Sequence, residues 1–244
     1  MPQGRFYTAD YTGEMVSANT SWRDRKDPST MTWVEKTIFN EDHDNIAHVI
    51  GNSKSRLWLD LNLLTGQTGG EKVRSVGQTY GCNLLYKDFN PTFLICTNKK
   101  ICDELAKNGY GDDNIVFSNV KNILEHPGQF HLYPQLYTAS AGNLALRLAC
   151  ADGHKTVYMI GMDTYSQPND NVYAEDYGLA DVQAANNKFI TENCRTFLTY
   201  SDVQFYYVSD KATIMPEQYN WCPNVKKLEW MQYVNLASLG AIAH

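Results

Sequence analysis

Residues 156–163 read TVYMIGMD, and this stretch decides the fold class of the 244-residue chain. Its first five residues form a short apolar run in which polar side chains do not alternate, as is typical of a strand buried on both faces of a parallel sheet. Gly161 then allows the chain to turn. Just upstream, residues 142–152 place Leu144 and Leu148 one helical turn apart, which predicts a helix with an apolar face. A helix followed by a buried strand is the repeating unit of α/β folds.

The same alternation continues outward from this stretch in both directions. Strands are predicted at residues 46–50, 92–96, 115–118 and 203–208, and a further strand is predicted to end at residues 81–83. Helices are predicted at residues 55–64, 98–105, 142–152, 181–198 and 231–239. Short apolar strands between helices predict an α/β fold, with a mostly parallel sheet covered by helices on both faces in a Rossmann-like arrangement.

The N-terminal part of the chain has a different character. Residues 1–30 are polar and show no helical or strand period, which predicts an extended N-terminal arm. Residues 31–244 are expected to form a single α/β nucleotide-binding domain. An ordered arm is usually held by its own domain or by a partner, so a homo-oligomer formed through the arm is a further expectation.

Composition and charge exclude several classes of protein. The net charge is -6, the pI is about 5.5 and no Lys/Arg run occurs, so no basic surface for binding nucleic acid (no nucleic-acid footprint) is predicted. The chain contains no stretch of 18 apolar residues, so no membrane span is predicted. No signal peptide is recognised either, and a cytoplasmic location is expected. The six cysteines form no C-x-x-C pair and are interpreted as buried free thiols. His126 and His131 lie close in sequence but have no third ligand at suitable spacing, so no metal site is predicted.

Small polar residues follow most of the predicted strands. In an open parallel sheet these residues all lie at one edge, where ligands bind. Glycine lets the backbone approach a ligand, helix N-termini offer N–H groups to a phosphate, and Asn and Ser side chains supply neutral donors and acceptors. Each residue taken singly is equally consistent with a turn or a helix N-cap. The candidate nucleotide-binding residues are Gly51, Asn52, Ser53, Asn83, Asn98, Ser140, Gly142 and Asp163.

Several segments at this edge resemble bacterial CMP-sialic-acid sialyltransferases. That family reads T-S-G, then a helix of small residues, then G-Y-K-x-I-Y-L-x-G-I-D-x-Y; this chain has SAG at residues 140–142 and GHKTVYMIGMDTY at 153–165. The family's first strand ends in G-N-G-P-S and its second in C-N, matched in part by GNSKS at 51–55 and by CN at 82–83. A later Y-A dipeptide matches residues 173–174. The resemblance covers roughly residues 46–174.

The resemblance implies a role for each matched residue. The eight candidates named above would line the pocket of a nucleotide-activated sugar, with a CMP-linked sugar favoured. Tyr165 and Tyr173 would be catalytic, donating hydrogen bonds to the departing phosphate in place of a metal. An acceptor glycan, or another hydroxyl, would then attack the anomeric carbon with inversion. No cofactor is implied.

The chain departs from the family at the general base. The family places a histidine downstream of the second tyrosine, whereas the only histidine after Tyr173 is the terminal His244. General-base catalysis contributes about 10²–10⁴-fold, so its loss would weaken transfer without preventing nucleotide binding. Glu175, Asp176 and Asp181 are possible substitutes.

Two other hypotheses about the function are therefore kept as alternatives to a glycosyltransferase. YGCN at 80–83 and YKDF at 86–89 resemble uncharacterised phage-encoded proteins, which suggests an inactive nucleotide-binding or structural protein in a host cytoplasm. The same core is similar to 6-hydroxymethylpterin diphosphokinase-like proteins, which would use ATP and Mg²⁺. Such an enzyme needs carboxylates around the phosphates, and Asp163, Asp170 and Glu175 are the available ones.

Overall fold

The computed structural model describes residues 6–11, 17–23, 31–38, 45–64, 67–68, 71–72, 77–133, 139–163, 170–176 and 187–238. In chain order, its strands are β1 Phe6–Tyr11, β2 Ser17–Arg23, β3 Met31–Ile38, β4 Ile46–Ile50, β5 Gln67–Thr68, β6 Glu71–Lys72, β7 Gln78–Cys82, β8 Phe93–Ile95, β9 Val116–Ser118, β10 His131–Leu132, β11 Thr156–Ile160, β12 Gln204–Ser209 and β13 Val225–Glu229. Its α-helices are α1 Lys99–Lys107, α2 Tyr110–Asp113, α3 Val120–Glu125, α4 Ala141–Ala151, α5 Asn187–Thr199 and α6 Trp230–Ser238. Its 3₁₀ helices are Lys54–Trp58, Leu61–Leu64, Asn83–Lys87 and Glu217–Trp221.

Eight of these strands form one parallel sheet, in the order β10-β9-β8-β7-β4-β11-β12-β13. After β4 the chain moves outward through β7, β8, β9 and β10, then returns to β11 on the other side of β4 and continues to β12 and β13. The strand order therefore reverses between β4 and β11, and ligands of open α/β sheets bind at such a reversal. The predicted α/β fold is confirmed.

The central strands are buried on both faces, as their lack of alternation predicts. Ile50 and Ile160 belong to the core under α1, α3 and α6, whereas Val49 and Met159 belong to the core under α4 and α5. Each strand can bury a large apolar side chain on either face only because helices cover both. In the described part of the chain, no helix is long and apolar enough to cross a bilayer.

One predicted helix is wrong in type. Residues 55–64 do not form an α-helix but lie in two 3₁₀ helices, Lys54–Trp58 and Leu61–Leu64. The side chain of Asp60 accepts a hydrogen bond from the backbone N–H of Asn62 at 3.0 Å. This local bond competes with helical backbone bonding and interrupts the segment.

Several elements were not predicted, and two of them, β13 and α3, show why a weak sequence signal is missed. β13 lies at the sheet edge and carries Lys226 and Lys227, so it contains no apolar run. α3 has six residues, which is too few for an apolar period to be recognised. The predicted helix at 181–198 is described from Asn187 onward, and its first residues lie outside the described part.

The segment expected to be an arm contains regular structure. β1, β2 and β3 form a three-stranded antiparallel sheet, with β2 in the middle. β3 lies beside β10 and α3, so this small sheet adjoins the β10 edge of the parallel sheet. The boundary between an arm and a domain near residue 30 stays a prediction.

The loops after β4 and β11 touch at the strand-order reversal. The backbone N–H of Gly51 donates to the carbonyl of Ile160 at 2.8 Å, and that of Ser53 donates to the carbonyl of Gly161 at 3.0 Å. A Cβ atom on Gly51 would stand 2.2 Å from the Gly161 carbonyl oxygen, so no larger residue fits there. Gly161 itself has φ of 61°, in the left-handed region that glycine adopts without strain.

We expect Gly51→Ala to lower the free energy of unfolding by about 3 kcal/mol, because the added methyl group must push the two loops apart. Urea denaturation followed by circular dichroism measures the change. Gly142→Ala is the matched control. Its Cβ would meet its nearest neighbours at 3.5 Å or more, inside α4, so stability should be unchanged or higher by about 0.5–1 kcal/mol. Equal stabilities for the two variants would contradict a tight loop contact.

Candidate functional site

Asn52 and Asn83 lie together at the carboxyl ends of β4 and β7. The side-chain Nδ2 of Asn52 donates to the carbonyl of Cys82, the residue before Asn83, at 3.2 Å. Asn83 begins a 3₁₀ helix with φ of 49°, a left-handed conformation that asparagine tolerates better than most residues. The Oδ1 atoms of both side chains are buried and have no hydrogen-bond partner among the described residues. A buried acceptor without a partner costs about 1–3 kcal/mol, and such atoms are satisfied when a polar ligand binds.

Ser53 and Asp163 bind other residues of the same edge. The hydroxyl of Ser53 donates to Oδ2 of Asp170 at 2.6 Å, and that of Ser55 donates to Oδ1 of Asp163 at 2.6 Å. Both Ser53 and Asp163 are buried. The loop after β4 and the end of β11 therefore lie together, as the sequence predicts for this edge. Ser55 and Asp170 belong to the same group of hydrogen-bonded side chains.

Residues 170–176 run alongside the loop after β4. The backbone N–H of Lys54 donates to the carbonyl of Asp170 at 2.9 Å, and the N–H of Val172 donates to the carbonyl of Asn52 at 2.8 Å. Ser53 and Asn171 form an isolated antiparallel bridge. These bonds place the 170–176 segment over the strand-order reversal.

Tyr173 lies in this segment, but its hydroxyl already has two partners. It donates to Oδ2 of Asp88 at 2.7 Å and accepts from Nη2 of Arg56 at 2.6 Å. Burial, and then the hydrogen bond to Asp88, raises the pKa of Tyr173 far above its ordinary value, so the phenol stays protonated. Its proton is therefore directed at Asp88. Tyr165, the other predicted catalytic residue, lies outside the described residues.

Arg56 and Asp88 are the site residues that sequence reasoning missed. Arg56 is 2% exposed, and its Nη2 lies 2.7 Å from Oδ2 of Asp88, whose side chain is 44% exposed. Burial alone would raise the pKa of Asp88, but hydrogen bonds from Tyr173 and Arg56 hold it below its usual value. The available signal was a basic residue between the polar first loop and the apolar residues 57–59.

Asn98, Ser140 and Gly142 occupy helix starts. Asn98 caps α1 by accepting from the backbone N–H of Ile101 at 3.3 Å, and Ser140 caps α4 by accepting from that of Asn143 at 3.3 Å. A Cβ on Gly142 would stand 3.7 Å from Sδ of Met162, which puts the start of α4 beside the end of β11. The geometry shows the capping role for both polar side chains, and a ligand contact for these three residues stays a prediction.

A carboxylate–histidine cluster lies elsewhere in the described residues. Asp103, Glu125 and His126 bring their ligand atoms within 4.8 Å of one another, without His131. The Nζ atom of Lys99 lies 2.6 Å from Glu125 and 3.0 Å from Asp103. The ammonium group thus satisfies these carboxylates as a cation would, and the cluster is a salt-bridge network.

Comparisons with known proteins give a distant likeness. No protein-family model matches the chain, and no curated protein matches it. It is similar to a solved structure of the sialyltransferase CstII from Campylobacter jejuni in complex with the substrate analogue CMP-3FNeuAc, at 15% identity and a TM-score of 0.45, covering 66% of this chain and 80% of that chain. A structure of monomeric CstII covers 74% of this chain and 86% of that chain, at 14% identity and a TM-score of 0.42. This likeness concerns the arrangement of strands and helices.

We expect Asp170→Asn to raise the melting temperature at pH 7. Burial, together with the nearby charge of Asp163, raises the pKa of Asp170, so its ionised form is disfavoured in the folded state. The wild-type protein therefore loses stability as the pH rises from the ordinary carboxyl pKa of about 3.9 through the raised pKa. Asparagine keeps an oxygen that can accept from Ser53 but carries no charge.

Melting curves from pH 3.5 to 7 test this expectation. The gain from Asp170→Asn should be largest at pH 7 and should shrink toward pH 3.5. Asp113→Asn, which alters an exposed carboxylate of α2, serves as the control and should show no such trend. A gain that does not depend on pH would contradict the electrostatic explanation.

Proposed function

We propose that the chain binds a nucleotide-activated sugar at the carboxyl edge of its sheet, where the strand order reverses. The observation that carries this proposal is the pair of buried carboxamide oxygens of Asn52 and Asn83, which have no partner in the part of the chain that the structure describes. They follow neighbouring strands and can accept from the hydroxyls of a ribose or from the amino group of a base. The sequence resemblance over residues 46–174 favours a CMP-linked sugar.

Sugar transfer at this site would need no metal. A hydroxyl of an acceptor glycan, or another hydroxyl, would attack the anomeric carbon with inversion. Its proton would pass to a carboxylate such as Glu175 or Asp176, or to water, and CMP would leave with the bonding electrons. Tyr173 would stabilise the departing phosphate only after its hydroxyl leaves Asp88. Tyr165 is assigned the same role by the resemblance alone.

Binding without turnover is an alternative that two observations favour. The hydroxyl of Tyr173 is engaged by Arg56 and Asp88, and the chain has no histidine between Tyr173 and its last residue. A protein of this kind would hold the nucleotide and release CMP from a CMP-sugar no faster than solution hydrolysis does.

A magnesium-dependent pyrophosphokinase-like enzyme is a further alternative. One observation favours it: Asp163 lies near enough to Asp170 for its charge to raise the pKa of Asp170. Two carboxylates beside a nucleotide can hold Mg²⁺ together with phosphate oxygens. This alternative requires ATP, and it requires the metal for tight binding.

A thermal-shift panel of CMP, UDP, GDP and ATP, each with and without Mg²⁺, separates these functions. We expect CMP to raise the melting temperature without Mg²⁺, since a ligand that binds only the folded state stabilises it. Asn52→Ala and Asn83→Ala should each weaken CMP binding by about tenfold, the effect of one lost hydrogen bond to a polar group. Isothermal titration measures the affinities.

Asn90→Ala is the matched control, because Asn90 is an exposed asparagine that pairs with Asn114. It should leave CMP affinity unchanged. Stabilisation by ATP that depends on Mg²⁺ would select the pyrophosphokinase, and no shift with any nucleotide would overturn the proposal. Release of CMP from CMP-sialic acid, followed by chromatography, distinguishes transfer or hydrolysis from binding alone.

A further inference from the structure

Arg56 carries a fixed positive charge at the centre of the candidate site. It lies in the 3₁₀ helix that follows the first polar loop, and a Cβ on Gly161 would stand 2.8 Å from the Cβ of Arg56. Its guanidinium carbon lies 5.4 Å from the centre of the Tyr173 ring. A guanidinium group is positively charged and offers only hydrogen-bond donors.

The hydrogen-bonding capacity of the guanidinium is only partly used. Nη2 binds Asp88 and Tyr173, whereas Nε is buried and has no partner among the described residues. Nε and Nη2 form one edge of the guanidinium, the edge that binds carboxylates and phosphates through two parallel hydrogen bonds. Nη2 has one N–H on this edge and one on the other side, and Asp88 and Tyr173 take one bond each. A buried charge with an unused donor is costly unless a further anion is bound.

Asp88 is an anion that can be exchanged. Its side chain is 44% exposed, so water can hydrate it when it leaves Arg56, whereas Arg56 is 2% exposed and stays buried. A phosphate offers more oxygens than a carboxylate and can bind Nε and Nη2 together.

Three lysines also lie near this edge. Lys54 is exposed, Lys87 lies 3.1 Å from Asp176, and Nζ of Lys100 lies 3.3 Å from the carbonyl oxygen of Asp176. All three are exposed, so each is a weaker candidate for the phosphate than the buried Arg56.

We propose that Arg56 binds the phosphate of the nucleotide along its Nε–Nη2 edge and that this phosphate replaces Asp88. The inference rests on the proposed function, because its ligand is a nucleoside phosphate. It adds a positively charged group to a site whose Asn and Ser side chains are neutral. Arg56 supplies affinity for the phosphate, while Asn52 and Asn83 bind the nucleoside. Asp88 neutralises Arg56 until the ligand arrives.

The test compares the affinities of CMP and cytidine, which differ only in the phosphate, by isothermal titration at fixed ionic strength. The wild-type protein should bind CMP more tightly. Arg56→Gln should weaken CMP binding by about tenfold or more and leave cytidine binding unchanged, because a charged hydrogen bond is lost. Asp88→Asn should strengthen CMP binding several-fold without changing cytidine binding, because the competing charge is removed. Arg195→Gln, on the exposed surface of α5, is the matched control and should change neither.

The Asp88→Asn result separates this assignment from a structural role for Arg56, since loss of a purely structural ion pair would not improve phosphate binding. It also decides the question if Arg56→Gln fails to fold. An unchanged ratio of CMP to cytidine affinity in Arg56→Gln, or a ratio that falls only in Lys54→Gln, would overturn the assignment while leaving the proposed function intact. Failure of the wild-type protein to bind either compound would overturn both.

Discussion

The contact between the loops after β4 and β11 is the constraint on which the candidate site depends. Gly51 and Gly161 let two backbones approach so closely that a Cβ on Gly51 would lie 2.2 Å from a carbonyl oxygen. This contact joins the two loops at the strand-order reversal. It places Ser55 of the first loop beside Asp163, and Arg56 packs against Gly161. The same contact explains why a glycine follows each of these two strands, and a ligand contact for Gly51 stays a prediction.

At this edge of the sheet, charged and polar side chains from three parts of the chain bind one another. Arg56, Asp88 and Tyr173 form one hydrogen-bonded group, while Asp163 and Asp170 are held by serine hydroxyls. This hydrogen bonding is incomplete, because one guanidinium N–H and two carboxamide oxygens remain buried without partners among the described residues. A phosphate and a nucleoside together have the acceptors and donors that would complete it.

The fold could be predicted because its strongest signals are local. The buried strands β4 and β11 are short apolar runs followed by glycine, and the helix α4 has an apolar face of helical period. Predictions failed where a local polar bond or a sheet edge changed the outcome. Asp60 interrupts the helical segment at residues 55–64 because its side chain accepts a hydrogen bond from the backbone N–H of Asn62. β13 carries lysines because it is an edge strand, with no neighbouring strand on one side among the described residues.

The sequence by itself determined the fold class, the edge of the sheet at which polar loops gather, and the presence there of Asn52, Asn83 and Asp163. These follow from short-range pattern, since parallel strands bring their carboxyl ends to one edge whatever the order of the strands. Only the tertiary structure decided the strand order and the pairing of side chains far apart in the chain. Arg56 meets Tyr173, 117 residues later, because a buried charge must find a partner, and sequence spacing carries no record of which partner it finds.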